Sequence, residues 1–247
     1  MEIREFIIYL CIILPMIPIL FALRDKFARR FLLFSIIGLS ICLVSAQINT
    51  ILIEKLGMDE MNYSITISPI NEEILKAIPL IFFTFVFAKK GDQIIPLAFA
   101  IGIGFGILEN LIIYSNSVAT LDITWGIIRG IGASLMHSAC AAMTAMGFSY
   151  VFNNNKSHLE GIVGLFALAI LFHATFNAFV QSEYRIIALI MPILLFIPIN
   201  YIEYKKKKYF ENKEESDIIL KRLMEEKDTL LEKTGTPKGK LDKEYQR

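Results

Sequence analysis

Charge is scarce in this sequence. Asp, Glu, Lys and Arg make up 20% of the 247 residues and hydrophobic residues 55%, whereas soluble domains carry about 25% charged and 45–50% apolar residues. A mean hydropathy of +0.54 points the same way. The few charges nearly cancel, with 25 Lys and Arg against 24 Asp and Glu. That balance excludes a nucleic-acid binder working through a basic surface. Cysteine is scarce too. Cys11, Cys42 and Cys140 fall in apolar stretches without CxxC spacing, so neither a disulfide framework nor a cysteine zinc site is expected. There is no GxSxG elbow, no HExxH and no cysteine at helical spacing from a histidine. A serine or cysteine nucleophile is thereby disfavoured. The run from Gly102 to Gly106 lies inside an apolar stretch with no preceding strand pattern, so it is not a phosphate loop.

What the chain does have is long apolar runs. Seven stretches approach the roughly 20 residues that a bilayer requires: 4–23, 31–53, 70–88, 94–114, 123–152, 159–180 and 185–204. The expected fold is all-α, a polytopic membrane bundle of about seven spans over 1–204, followed by a charged cytoplasmic tail over 205–247. The first stretch lacks the basic start and the small-residue cleavage site of a signal peptide, so it reads as a permanent span kinked by Pro15 and Pro18. In the tail, Ile219, Leu223 and Leu230 predict an amphipathic helix over 209–233. The segment Thr234-Gly-Thr-Pro-Lys-Gly-Lys reads as disordered.

Loop charges set the direction. Arg24, Lys26, Arg29, Arg30, Lys89, Lys90 and Lys156 fall on one side, and Arg4, Lys55 and Arg185 on the other. Seven against three places the N-terminus outside. The C-terminal tail, opening with Lys205 to Lys208, is then cytoplasmic.

The informative residues are those that a membrane helix should avoid. Glu72, Glu73 and Lys76 lie in the third stretch, Glu109 in the fourth, Arg129 and His137 in the fifth, His173 and Asn177 in the sixth. Facing lipid singly, the five charged groups would cost about 15 kcal/mol together, at roughly 3 kcal/mol each. They must face inward. With the spans alternating in direction, most of these groups fall in the outer half of the membrane, which implies one shared site opening outward. His137 is expected about 12 Å deeper than Arg129. Glu72 and Lys76 stand four residues apart and are expected to pair. Gly102 with Gly106, and Gly126 with Gly130, form GxxxG pairs suited to close helix approach.

Such groups suit hydrolysis. A carboxylate can take a proton from water, an imidazole can donate one, and an amide can hydrogen-bond an oxyanion. No cofactor is required by that scheme. Glu72, Glu109, His137 and His173 could equally ligate a divalent metal such as zinc. A structural polar network in a non-enzymatic scaffold or immunity protein is the third reading.

The ordered set Glu72-Glu73-x-x-Lys76, Phe105-x-x-x-Glu109-Asn110, Arg129 with His137, and His173-x-x-x-Asn177 resembles the PrsW family of glutamic-type intramembrane proteases. That family is related to the CAAX-prenyl and bacteriocin-processing endopeptidases. The resemblance covers about residues 65–180. Two features depart from it, the neutral Asn177 where an aspartate can stand and the long charged tail. It implies first-site cleavage, on the outer side of the cell membrane, of a single-span protein such as an anti-sigma factor, within an envelope stress response. It also implies roles: Glu72 activating water, His173 as acid or second base, Glu73 and Asn177 at the oxyanion, and Glu109 as base or ligand. Lys76, Arg129, His137, Phe105 and Asn110 would support them. Lipids are the other expected partners.

Overall fold

The computed structural model describes residues 11, 13–87, 94–117, 123–154 and 159–234. Every regular element among them is helical. The first is α1 (Met16–Ala22). It starts after Pro15, and Pro18 falls in its first turn, where a missing N–H is tolerated. Residues 4–10 and 12 of the expected 4–23 span lie outside the described residues.

Helix α2 (Lys26–Leu56) is capped by Asp25, whose carboxylate accepts from the Ala28 amide at 2.6 Å, and it closes on Gly57 at φ 60°. Only glycine adopts that left-handed conformation without strain. The sequence reading places no helix between 53 and 70, yet α3 (Glu60–Thr66) forms there. Asp59 caps it, accepting from the Asn62 amide at 2.9 Å, and the Asn62 backbone and side chain hold the Asp59 carboxyl below its usual range. Helix α4 (Ser68–Phe82) has Pro69 in its first turn and Pro79 inside, and it widens into a π-helical turn at Phe83–Phe87. After it come α5 (Ile94–Ser117), α6 (Ile123–Asn154), α7 (Leu159–Val180) and α8 (Arg185–Thr234).

Among the described residues five helices are long and apolar enough to cross a membrane: α2, α5, α6, α7 and the Arg185–Ile202 part of α8. The chain is therefore a multi-pass membrane protein. Its outer faces agree, because Phe85, Ile127, Leu171, Ile193 and Ile197 are all exposed. Water would not tolerate so continuous an apolar surface, whereas lipid requires it.

The tightest packing joins α5 to α6, α2 to α5 and α6 to α7. Glycines on α5 explain two of these contacts. A Cβ on Gly102 would strike the Ser138 backbone of α6, and one on Gly106 would come within 2.7 Å of Ser134 Cα. On the other side, a Cβ on Gly104 would meet the Ser35 carbonyl of α2. The second expected glycine pair works differently. Gly130 leaves room for the Tyr114 side chain, whose hydroxyl donates to the Gly126 carbonyl. Alanines fill the core seams, Ala98, Ala133, Ala139 and Ala142 being fully buried. Cys42 and Cys140 are buried free thiols.

The chain divides into two compact units, Met1–Asn200 and Tyr201–Arg247. In the second, the helix continues to Thr234, with Ile219 and Leu223 exposed. The expected disordered segment begins at its end and otherwise lies outside the described residues.

Candidate active site

Helix α4 brings the acids into the bundle. Glu72, Glu73 and Lys76 share its inward face and are 4%, 1% and 1% exposed. The i,i+4 spacing predicted a Glu72–Lys76 pair, but Lys76 Nζ instead meets Glu73 Oε1 at 2.6 Å. Residues three and four apart are equally near on a helix. Here cross-helix partners decide. Glu72 Oε1 is claimed by Ser68 Oγ at 2.5 Å and by Asn49 Nδ2 of α2 at 3.2 Å. Asn49 Oδ1 in turn accepts from the Tyr63 hydroxyl of α3 at 2.9 Å and from Asn71 Nδ2 at 2.8 Å.

From Glu73 a continuous chain of polar contacts crosses four helices. His173 Nδ1 of α7 lies 2.8 Å from Glu73 Oε1. Lys76 Nζ lies 2.9 Å from His137 Nδ1 of α6, and His137 Nε2 lies 2.9 Å from Glu109 Oε2 of α5. Glu109 Oε1 pairs with Arg129 Nη2 at 2.9 Å, Arg129 Nη1 donates to Asn177 Oδ1 at 3.4 Å, and Asn177 Nδ2 donates to the Ser64 carbonyl at 2.8 Å. The ring of Phe105 lies 4.6 Å from that of His137, tilted by 46°, and receives the Lys76 ammonium at 4.9 Å.

Donor and acceptor rules assign the protons. An ammonium only donates, so His137 accepts through Nδ1 and donates through Nε2–H to Glu109. A carboxylate between two donors only accepts, so His173 donates through Nδ1–H to Glu73, and in the neutral ring Nε2 is then a lone pair turned inward. That Nε2 and Glu72 Oε2 face each other at 3.7 Å. Both are buried and neither has a hydrogen-bond partner among the described residues. Charge leads to the same spot. Three buried or half-buried carboxylates, Glu72, Glu73 and Glu109, meet two fixed cations, Lys76 and Arg129. Glu72 is the one without a Lys or Arg partner among the described residues.

The site thus gathers eight of the sequence-derived residues: Glu72, Glu73, Lys76, Glu109, Arg129, His137, His173 and Asn177. Phe105 joins through its ring. Asn110 does not, since its amide donates to Gly130 O at 3.0 Å and Ser134 Oγ at 3.3 Å, tying α5 to α6. Eight residues of continuous α6 separate His137 from Arg129, yet the long Arg129 side chain reaches the same glutamate as His137, whose ring stands 4.8 Å from that of His173. Asn49, Ser68 and Tyr63 carry no charge, so the pattern of charges in apolar stretches does not single them out. Asn49 in an apolar span and Ser68 four residues before Glu72 were the available signals.

Donor atoms of Glu72, His137 and His173 lie within 4.8 Å of one another. Two ligands on a tetrahedral zinc stand about 3.4 Å apart, given metal–ligand distances near 2.1 Å. The Glu72 Oε2 and His173 Nε2 lone pairs, 3.7 Å apart and without other partners among the described residues, fit a divalent cation. His137 fits by distance, but it must release Lys76 or Glu109 to offer a lone pair. Glu109, the fourth expected ligand, spends both oxygens on Arg129 and His137.

Carboxylates and imidazoles enclosed by apolar membrane-crossing helices define a membrane-embedded hydrolase. The family model described as PrsW family intramembrane metalloprotease matches residues 27–202. The chain belongs to that family, and its activity is that of an intramembrane peptidase. No curated protein and no solved structure matches it.

Proposed function

We propose that this chain is an endopeptidase that hydrolyses a single-span membrane protein, using water held between Glu72 Oε2 and His173 Nε2. The two facing lone pairs at 3.7 Å carry this reading, because a water or a cation placed there satisfies both. Glu72, without a cationic partner, accepts a proton as the water oxygen bonds to the scissile carbonyl carbon. The proton then passes to the departing amine as the C–N bond breaks. His173 holds the water and shares the proton. Glu73 is a positioning residue, since its hydrogen bond to Nδ1–H fixes the tautomer and aim of His173. Lys76 Nζ, 2.6 Å from Glu73 Oε1, holds that carboxylate in place.

A divalent cation would be held by Glu72 and His173, with His137 as third ligand. Bound there, it would supply Lewis-acid polarisation and a more acidic water. The family description as a metalloprotease supports this form.

The proposed topology has seven spans, adding one through 4–23 and one through α4 with its π-helical turn, and an N-terminus outside. Span domain 1–204 would then stand before a cytoplasmic tail, 205–247. The site would open to the outer side of the cell membrane, where an anti-sigma-factor-like protein would receive its first cut in a stress response.

The test is a membrane cleavage assay with candidate single-span substrates, together with metal analysis of the purified protein. Glu72→Gln and His173→Ala should each lower turnover at least ~10²-fold. Full activity in Glu72→Gln sinks the proposal. In the metal-bound form, both variants also lose the cation, and chelator treatment silences wild type. Chelator-resistant cleavage by metal-free protein restricts the mechanism to the acid–base pair.

A further inference from the structure

Beside the polar cluster lies a cavity of about 530 Å³, bordered by α2, α3, α4, α5, α6 and α7. Its size is that of a ligand pocket. It belongs to no part of the hydrolytic scheme above, yet it adjoins it. Asn49 and Ser68 line it, and both hydrogen-bond Glu72 Oε1, so an occupant would lie one side chain from the catalytic carboxylate.

Two further features describe the occupant. Ile53, Ile113, Trp125 and Val180 give the cavity an apolar lining. Arg129 also lines it. The terminal nitrogens of Arg129 hold Glu109 and Asn177, while its buried Nε–H has no partner among the described residues. A buried unpaired donor calls for an acceptor. The interior of a helical substrate is a poor source, because each carbonyl there already accepts a bond within the helix. An extended segment offers an unpaired carbonyl at each residue together with a side chain for the apolar lining.

We infer that this cavity is the substrate subsite next to the scissile bond. It takes an unwound, extended segment whose large aliphatic or aromatic side chain packs on Trp125 and Ile113. On binding, the Arg129 side chain turns its Nε–H, buried in the free protein, to the segment's backbone carbonyl. Trp125 and Ile113 are then specificity-determining residues. The inference rests on the peptidase reading of the cluster, so its test separates binding from cleavage.

Trp125 is the chain's single tryptophan, which makes its emission a reporter of this cavity. The probe is a tryptophan-free single-span Leu/Ala peptide carrying 4-bromophenylalanine at an end unwound by Gly-Pro. A control peptide carries the same residue at mid-span. Full-length Glu72→Gln protein in lipid nanodiscs is titrated with each, so that no peptide is consumed. The end-labelled peptide should quench Trp125 saturably, and the mid-span control should not. Ile113→Phe, which fills the cavity and keeps the reporter, should raise the half-saturating concentration roughly tenfold or more. For the wild-type enzyme, the same substitution should raise KM for that peptide while leaving kcat nearly unchanged. Equal quenching by both peptides, or none, overturns the inference whether or not the peptide is cut. Specific quenching without cleavage by wild type upholds the subsite and overturns the hydrolytic reading instead.

Discussion

Glu72 and Glu73 are adjacent in sequence and opposite in surroundings. Glu73 touches an ammonium and an imidazole, while Glu72 touches a hydroxyl and an amide. Their neutral isosteres should therefore behave differently. Glu72→Gln strands no cation and removes a buried charge without a counter-ion, so the melting temperature should hold or rise while turnover collapses. Glu73→Gln leaves Lys76, 1% exposed, without its carboxylate counter-ion, its other contacts being His137 and Phe105. Breaking a buried pair in this way costs about 3–5 kcal/mol. Its melting temperature should fall, and the surviving molecules should have lost the aim of His173 as well. Equal melting temperatures for the two variants would refute the assignment of Lys76 to Glu73. Most of this site was legible as charge in apolar surroundings. Its pairing was not, because spacing along α4 offers Lys76 two neighbours and only Asn49 and Ser68 decide between them. The neutral residues that hold Glu72 carry no charge to draw notice.

At the scale of elements, the site depends on how closely α5 and α6 approach. Helix α5 carries Glu109, and α6 carries both of its partners, Arg129 and His137. A Cβ on Gly102 would meet the Ser138 backbone, and no flexible side chain stands there to yield. Gly102→Ala should therefore force the helices apart, losing on the order of 1–3 kcal/mol as overpacked cores do. Turnover should drop with it, because the Glu109 contacts lengthen. Gly164→Ala on α7, which meets nothing within 4 Å, is the control and should leave both melting temperature and cleavage rate unchanged. A neutral Gly102→Ala would remove this account of the interface. The helices that carry the site were readable from hydrophobic length, and the Gly102–Gly106 pair was readable from spacing. Helix α3 was not, since its seven residues show no apolar run and rely on the Asp59 cap and on Tyr63 buried beneath them. The Gly126–Gly130 pair misled for a related reason. Spacing reports the absence of side chains, not whether a helix or a tyrosine fills the space.

For the whole molecule, the contacts fix which helix ends belong together. Glu72 lies near the start of α4, Glu109 toward the end of α5, Arg129 near the start of α6, and Asn177 near the end of α7. Helices of alternating direction can bring these residues into contact only at one end of the bundle. Asn49, close to the end of α2, belongs to the same end. Exposed Lys55 marks it, as does Ser117, the last residue of α5, and exposed Arg29 marks the opposite end. The excess of Lys and Arg at the Arg29 end predicts that it faces the cytoplasm. With Cys11, Cys42 and Cys140 replaced, Lys55→Cys and Ser117→Cys should react with a membrane-impermeant maleimide on intact cells. Arg29→Cys should react only after permeabilisation. The reverse pattern would place Glu72 and His173 near the cytoplasmic surface. The catalytic proposal would survive that result, because it rests on distances alone. Cleavage of an anti-sigma-factor-like substrate from outside would not, since the cut would then fall on the side where the released factor already resides.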